Sequence, residues 1–297
     1  MMMLSEFEIF SSKHISILGL ILVLLLSGCY QDESLNEPVK GGPDIPETAL
    51  DTYIRENFTE EYGMAIRYKF VDNFVEPNQR VAPPKVEVVR PMLDFIDKFW
   101  IGPYLEVSNG EDFFREHVPA EIVFLGGPIY NNDGTITLGT ADAGAQITFT
   151  DVNQIDETDE QWRTRQFNVV YHEFAHIVHQ RYKLPPAFET ISPSGYTGAG
   201  SWFVLTNDDA LQRGCVTPYA TSSPNEDFAE TVAFFIFDTD FDENFMIDEE
   251  NCASAECEAR NVGREMIRQK LAAISDHYAK VTGVKLESLR ESVQAKL

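Results

Sequence analysis

Two histidines and a glutamate stand close together in the segment 172–176, whose sequence is HEFAH. If this segment is helical, His172 and His176 lie one turn apart on the same face, so both imidazoles can reach one tetrahedral metal ion. Glu173 follows His172 at about 100° round the helix, where its carboxylate can reach a water on an open position of the metal. The spacing therefore predicts one catalytic zinc ion bound by His172 and His176, with Glu173 as the general base.

A catalytic zinc ion usually has three protein ligands and a water, so the third ligand must come from elsewhere in the chain. His179 falls on the same helical face, but it lies about 10.5 Å from His172 along the helix axis, which strains joint ligation. The sequence therefore favours a role for His179 in lining the pocket or bonding a core carbonyl. The metzincin pattern would need a histidine ten residues after the first, and Tyr182 occupies that place.

The remaining candidate for the third ligand is Glu226, in the segment 225–230 with the sequence NEDFAE. An apolar run follows, which predicts a second buried helix with Glu226 and Glu230 one turn apart and facing inward. Glu226 could bind zinc while Glu230 accepts a hydrogen bond from a ligand imidazole and thereby selects its tautomer. An acidic helix N-terminus stabilised by the helix dipole is the alternative interpretation.

The histidines need a helix to position them. A long helix is predicted to begin near Thr158 or Asp159, because Thr158 and Gln161 form a capping-box pattern and acidic residues suit the positive end of the helix dipole. Pro185 should stop this helix. Apolar residues occupy most of its circumference, so we expect it to be buried.

Strand-like segments precede this helix, and helical segments follow it. The predicted strands are 62–71, 120–125, 135–138 and 146–150; a helix is predicted around 91–99, and one or two amphipathic helices are predicted within 259–297. Strands first and helices after indicate an α+β domain over 51–297, strand-rich over 51–155 and helical, with the zinc site, over 156–297. The strand 146–150 is either an edge that receives an extended substrate by strand addition or a core strand.

The segment 195–202 (GYTGAGSW) contains three glycines. Such a composition predicts either a mobile loop near the site or a structural turn. Large aromatic residues belong more often to a core than to a substrate platform, so we expect Trp202 and Phe203 to be buried.

The first residues resemble an export signal. The apolar run 15–26 is too short to span a bilayer comfortably, and it ends in Leu26-Ser27-Gly28-Cys29, which resembles the lipobox of bacterial lipoproteins. The resemblance implies a signal peptide over 1–28, a lipid on Cys29 and a flexible tether over 29–50. A short membrane anchor with an incidental cysteine is the alternative. Acidic residues after Cys29 resemble the signal for the outer face of the outer membrane; the periplasmic face is the other possibility.

The acidic composition of the chain limits the kinds of partner that it can bind. The 297 residues include 48 acidic and 23 basic side chains, a formal net charge of −25, which argues against nucleic acid and anionic lipid headgroups because both need basic surface. An acidic surface that only keeps an exported protein soluble would look the same.

The cysteines after Cys29 suggest one local bridge. Cys252 and Cys257 lie close together in a polar insertion, and an exported compartment permits a disulfide between them. Cys215 would then be free. A structural zinc at these cysteines is not expected, since a matching second pair is lacking.

The order of these motifs resembles a known family. The segment 172–176 followed some fifty residues later by 225–230 resembles the gluzincin metallopeptidases, and EDFAE resembles the matching segment of the anthrax toxin lethal factor catalytic domain. Taken together with the lipobox and the segment 195–202, these motifs resemble the zinc-binding metallopeptidase lipoproteins associated with TonB-dependent substrate import. This resemblance covers most of residues 50–297.

The resemblance implies a zincin-like metalloprotease domain, with a small mixed sheet packed on the HExxH helix and a helical C-terminal half. It matches Glu226 to the third zinc ligand. It matches Tyr219 to a tyrosine whose hydroxyl polarises the scissile carbonyl or protonates the leaving group; an ordinary turn tyrosine is the alternative.

These residues predict an exported, membrane-anchored zinc peptidase in which Glu173 assists attack by a zinc-bound water and Tyr219 stabilises the oxyanion. Two alternatives stay open, because zinc ligands do not dictate the acyl group. One is a non-peptidase zinc amidohydrolase, and the other is a zinc-stabilised accessory or binding lipoprotein of a nutrient-uptake system. The expected partners are a peptide or protein substrate, the membrane through Cys29, and TonB-dependent uptake components.

Overall fold

The computed structural model describes residues 46–70, 76–77, 79–130, 136–137, 139–142, 146–198 and 200–297. The predicted signal peptide, Cys29 and most of the predicted tether lie outside the described residues. Residues Thr48–Leu297 form one compact unit. Within the described ranges, no helix has both the length and the apolar character needed to cross a membrane.

The described part of the chain is a mixed α/β structure in which helices predominate. The strands are β1 Ala65–Arg67, β2 Glu121–Phe124, β3 Ile129–Tyr130, β4 Ile136–Thr137, β5 Gly139–Asp142 and β6 Gln146–Phe149. The helices are α1 Ala49–Ile54, α2 Glu60–Tyr62, α3 Val86–Ile96, α4 Gly102–Glu106, α5 Gly110–His117, α6 Glu160–Tyr182, α7 Phe188–Ile191, α8 Asn207–Gln212, α9 Pro224–Phe237, α10 Ala255–Thr282 and α11 Leu286–Gln294. π-helical turns connect α1 to α2 and α3 to α4.

Four strands form one sheet in the order β1-β2-β6-β5. The pairs β1–β2 and β2–β6 are parallel, and β5 runs antiparallel to β6. β6 therefore has a strand on each side, so the interpretation of 146–150 as an edge for substrate is wrong and the core-strand interpretation is correct. Its buried residues Ile147, Thr148 and Phe149 agree with that position.

All the strands that the structure describes lie within 51–155, the part predicted to be strand-rich, but α1 to α5 also lie wholly or mainly within it. The predicted helix around 91–99 begins earlier, at Val86. Its N-cap Lys85 makes no side-chain cap, and Pro91 lies inside the helix, so the usual start signals are missing. α3 packs its buried face, including Met92 and Phe95, into the main core.

α6 is the central helix of the fold. Its N-cap is Asp159, whose carboxylate accepts hydrogen bonds from the N–H groups of Gln161 and Trp162, while Thr158 bonds Asp156 instead. The helix ends at Tyr182, before Pro185. Phe167 stacks on Phe95 of α3 with ring centroids 5.5 Å apart. Because this helix is covered on most sides, tertiary packing holds it in place, and the histidines on it have little freedom to move.

α9 packs directly against α6. Ser223 caps its N-terminus and Pro224 occupies the first turn, which are ordinary start signals. Apolar side chains including Phe228, Val232 and Ile236 are buried between α9 and its neighbours, as the sequence predicts. The C-terminal residues form two helices, α10 and α11, which also agrees with the prediction.

The three cysteines that the structure describes form one disulfide and leave one free thiol. Cys252 and Cys257 form a disulfide with Cα atoms 5.4 Å apart, just where α10 begins. Cys215 is a buried free thiol, and burial raises its pKa to about 12.

Candidate metal centre

Three ligand-type atoms from α6 and α9 converge on one point. The Nε2 atoms of His172 and His176 lie 2.9 Å apart. Oε2 of Glu226 lies 3.1 Å from the first of these nitrogens and 3.2 Å from the second. The two helices thus bring together three side chains separated by up to 54 positions in the sequence.

This triangle fits a zinc ion. A tetrahedral zinc with ligands at about 2.0–2.2 Å requires ligand atoms roughly 3.3–3.6 Å from one another, close to the spacing of His172, His176 and Glu226. Two imidazoles and one carboxylate are a donor set that catalytic zinc uses, with the fourth position left for water. The residues present therefore fit the metal that the sequence predicts.

A carboxylate lies behind the first histidine. Oε1 of Glu230 lies 2.7 Å from Nδ1 of His172, and the Glu230 side chain is buried. Thr217 donates a hydrogen bond of 2.6 Å to the other carboxylate oxygen. This arrangement keeps the proton on Nδ1 and leaves Nε2 free for a metal. Thr217 carried no signal in the sequence, because its partner lies in a different element.

His179 lies behind the second histidine. Its Nε2 is 2.6 Å from Nδ1 of His176, a contact that the sequence does not predict, although the i+3 spacing permits it. Burial and the neighbouring His176 lower the pKa of His179 to about 4, so its ring is neutral near pH 7. Nε2 of a neutral His179 can accept a hydrogen bond from Nδ1–H of His176, and Nε2 of His176 then faces the metal position.

Protons and a metal compete for this triangle. Burial opposes the charged imidazolium of His172, but hydrogen bonds to Glu226 and Glu230 outweigh it and raise the pKa of His172 to about 10. Burial likewise opposes charge on Glu226, but bonds to His172 and His176 lower the pKa of that carboxyl. A zinc ion bound here would have to displace the proton of His172, because an imidazole binds a metal only in its neutral form.

Glu173 lies beside the triangle without belonging to it. Its carboxylate has an oxygen within 4.8 Å of ligand nitrogens of both histidines, whereas Glu226 approaches the same atoms to about 3 Å. Burial raises the pKa of Glu173, and the nearby carboxylates of Glu226 and Glu230 add to that effect. The charges of His172 and His176 act in the opposite direction. A carboxylate whose pKa is raised is a better proton acceptor than an ordinary one, which suits a general base.

Tyr219 lies beside the ring of His172, at the edge of the three converging atoms. It begins the short 3₁₀ helix Tyr219–Ser222, and its ring centroid lies 5.8 Å from that of His172. The side chain is 38% exposed. Burial of its hydroxyl, the negative charge of Glu226 and a hydrogen bond to that carboxylate raise the pKa of Tyr219. The hydroxyl therefore stays protonated at neutral pH and can donate.

Trp202 and Phe203 are not in the core, so that expectation is wrong. Phe203 is 66% exposed and Trp202 is half-buried. The loop before them is hydrogen-bonded: Thr197 N–H donates to the carbonyl of Thr221 over 2.8 Å. A Cβ at Gly195 would lie 2.7 Å from the Arg213 carbonyl oxygen, so only glycine fits there.

A buried ion pair that the sequence does not predict joins α9 to α10. Lys270 Nζ lies 2.5 Å from Oδ2 of Asp227, and neither side chain is exposed to solvent. Tyr196 donates to the same carboxylate over 2.7 Å, and Lys270 also donates to the Gly214 carbonyl. Asp227 follows Glu226 directly, so the pair holds the start of α9 where Glu226 needs it.

Lys270→Met is expected to lower the free energy of unfolding by about 3–5 kcal/mol, because it leaves the Asp227 carboxylate buried without its counter-charge. Chemical denaturation measures this difference. Lys280→Met, which removes an exposed lysine from the same helix, serves as the control and should change little. A loss under about 1 kcal/mol for Lys270→Met would mean that the pair contributes no charge interaction.

Comparisons with known proteins place the chain among zinc-binding metallopeptidases. The model of the family described as "Putative zinc-binding metallo-peptidase" matches residues 43–287. The crystal structure of a protein from Bacteroides caccae, described as a putative zinc-binding metallo-peptidase, resembles this chain with a TM-score of 0.66 and 29% sequence identity, over 82% of this chain and 89% of that one. No curated protein matches the chain significantly.

Proposed function

This chain belongs to the family of putative zinc-binding metallo-peptidases, and on that premise we propose that it hydrolyses peptide bonds with one zinc ion bound by His172, His176 and Glu226. The convergence of three ligand atoms at 2.9–3.2 Å, with the Glu173 carboxylate beside them, carries the proposal. A closed structural site would have four protein ligands and no such neighbouring base.

Each residue of the site has a distinct task. A zinc ion held by His172, His176 and Glu226 would supply Lewis acidity, which would lower the pKa of a water and polarise a carbonyl. Glu173 takes the proton from the attacking water and passes it to the leaving amine. Glu230 and His179 keep the Nδ1 protons of His172 and His176 in place, so that both rings present Nε2. Tyr219 donates its hydroxyl hydrogen bond to the oxyanion that develops on the scissile carbonyl.

The proposal is tested with a mixed peptide library. Zinc-loaded protein should cleave peptides, a chelator should stop cleavage, and added zinc should restore it. Folded, zinc-loaded protein that cleaves no peptide would contradict the peptidase function and favour the accessory role. Cleavage of non-peptide amides alone would favour the amidohydrolase alternative.

Tyr219→Phe is expected to lower kcat by about 10²–10³-fold, since one oxyanion donor contributes ~2.7–4 kcal/mol in measured cases. The hydroxyl is not among the three converging atoms, so the variant should still bind zinc, but it does hydrogen-bond Glu226. We therefore compare kcat for the two proteins at saturating zinc, with the metal content measured on the same samples. Tyr130→Phe, which alters an exposed tyrosine on β3, is the matched control. An unchanged kcat for Tyr219→Phe would remove the hydroxyl from the mechanism.

We further propose that the protein works as an outer-membrane lipoprotein, anchored through Cys29 and facing the cell surface, beside TonB-dependent uptake components. The lipobox-like segment 26–29 and the acidic residues that follow it support this placement. Metabolic labelling with radioactive palmitate should mark the wild type and not a Cys29→Ala variant. Labelling of both would contradict the anchor.

A further inference from the structure

Three consecutive apolar residues lie beside the candidate metal centre, and two of them are exposed to solvent. They form the 3₁₀ turn Trp202–Val204, in which Phe203 is 66% and Val204 70% exposed. Among the residues whose side chains the structure describes, ten large apolar side chains are exposed, and Phe203, Val204 and Tyr219 are three of them. We name Trp202, Phe203 and Val204 the apolar ledge.

The backbone holds this ledge from both sides. On its N-terminal side, Tyr196 donates to the buried Asp227 and Thr197 N–H donates to the Thr221 carbonyl. On its C-terminal side, Thr206 forms a capping box at the start of α8. Anchors this close restrict the ledge, so its apolar side chains stay in water although burial would be favourable.

The ledge is continuous with the site. The Trp202 ring meets the Tyr219 ring edge-on, with centroids 5.1 Å apart, and the Tyr219 ring lies 5.8 Å from that of His172. An extended peptide advances about 3.4 Å per residue. A side chain within three residues of a bond held at the metal centre therefore reaches the apolar ledge.

We propose that the apolar ledge is a substrate subsite, which takes an aromatic or large aliphatic side chain of an extended peptide within three residues of the scissile bond. The proposal rests on the peptidase function proposed above. Contact with such a side chain removes Phe203 and Val204 from water, and Trp202 offers an aromatic face.

Charge favours a peptide over other occupants. The chain carries a formal net charge of −25, and exposed Asp208 and Asp209 follow the ledge in the first turn of α8. This charge repels an anionic lipid surface and a second copy of the same acidic surface. The same charge selects peptides without acidic residues beside the apolar one.

The first arm of the test reads cleavage. Full-length, zinc-loaded protein is incubated with a mixed peptide library, and mass spectrometry identifies the residues around the cut bonds. The wild type should prefer Phe, Trp, Leu or Ile within three residues of the cut. In the double variant Phe203→Ala/Val204→Ser, the enrichment of these residues around the cut bonds should fall about tenfold. Val86→Ser, at a similarly exposed valine of α3 (62%), is the control and should keep it.

The second arm reads binding without cleavage. Zinc-loaded Glu173→Gln protein is titrated, by fluorescence anisotropy, with two labelled short peptides that differ only in a central Phe-Leu or Ala-Ala pair. The Phe-Leu peptide should bind about tenfold more tightly, and the ledge double variant in the same background should lose that difference.

The two arms separate the two proposals. Preferential binding of the Phe-Leu peptide without any cleavage by the wild type would support the ledge and contradict the peptidase function. Equal binding of both peptides, or a preference that survives in the double variant, would overturn the ledge. Binding to neutral phosphatidylcholine vesicles, or self-association, that the double variant abolishes would assign the ledge to lipid or to a second copy and would also overturn the proposal.

Discussion

Zinc-loaded protein carrying Glu173→Gln is expected to cleave peptides about 10²–10⁴-fold more slowly than the wild type, the usual contribution of a positioned general base. Glutamine has nearly the same shape as glutamate but cannot accept a proton from water at neutral pH. The partly buried position of Glu173 should accommodate the amide without a change in the fold. The measurement is kcat/KM on a cleaved library peptide, together with the zinc content.

The zinc content decides what a loss of activity means. We expect it to be unchanged, because Glu226 and not Glu173 approaches the two histidine nitrogens to about 3 Å. Glu160→Gln, at an exposed position of the same helix, is the matched control and should retain activity. Loss of zinc from Glu173→Gln would make Glu173 a ligand, and full activity would mean that another group takes the proton.

Glu226→Ala is expected to weaken zinc binding by more than about 100-fold. Loss of a hydrogen-bonding partner behind a ligand typically costs 10–100-fold in metal affinity, and loss of a ligand should cost more. Catalytic zinc usually has three protein ligands, and the variant would leave only the two histidines. Metal analysis of the purified protein, after dialysis against a weak chelator, measures the effect.

Thermal unfolding provides a second readout for the same variant. Zinc that binds only the folded state stabilises it, so a chelator should lower the Tm of the wild type. The same chelator should leave the Tm of Glu226→Ala almost unchanged. Asn225→Ala, at the exposed neighbouring position of α9, should behave as the wild type. Full zinc occupancy in Glu226→Ala would show that a different residue completes the site.

Local spacing in the sequence is enough to predict part of this site. His172, Glu173 and His176 lie within one helical turn, and a helix places residues i and i+4 on one face whatever surrounds it. The same reasoning predicts α9 and the shared face of Glu226 and Glu230. The caps of α9 are ordinary ones, Ser223 and Pro224, so its start is also close to the prediction.

Predictions fail where the signals that the sequence offers are incomplete or compete with tertiary contacts. α3 begins without a side-chain cap and contains Pro91, so its first turn carries no recognisable start. The alternation of 146–150 predicts a strand but not its place in the sheet, and β5 pairs with β6 and makes it internal. Trp202 and Phe203 are residue types that usually lie in a core, but they follow a loop hydrogen-bonded at Tyr196 and precede the start of α8 at Thr206, and there Trp202 is only half-buried and Phe203 is exposed.

The sequence by itself determined the ligand types and their helical spacing, because both depend only on neighbours within a turn or two. The sequence also predicts that Glu226 joins the two histidines, and the tertiary structure supplies the contact. Only the tertiary structure shows that Thr217 meets Glu230 and that Lys270 meets Asp227. Such pairs depend on how α6, α9 and α10 pack, and packing is set by the whole core rather than by any local pattern. For the same reason, only the structure places the apolar ledge beside Tyr219.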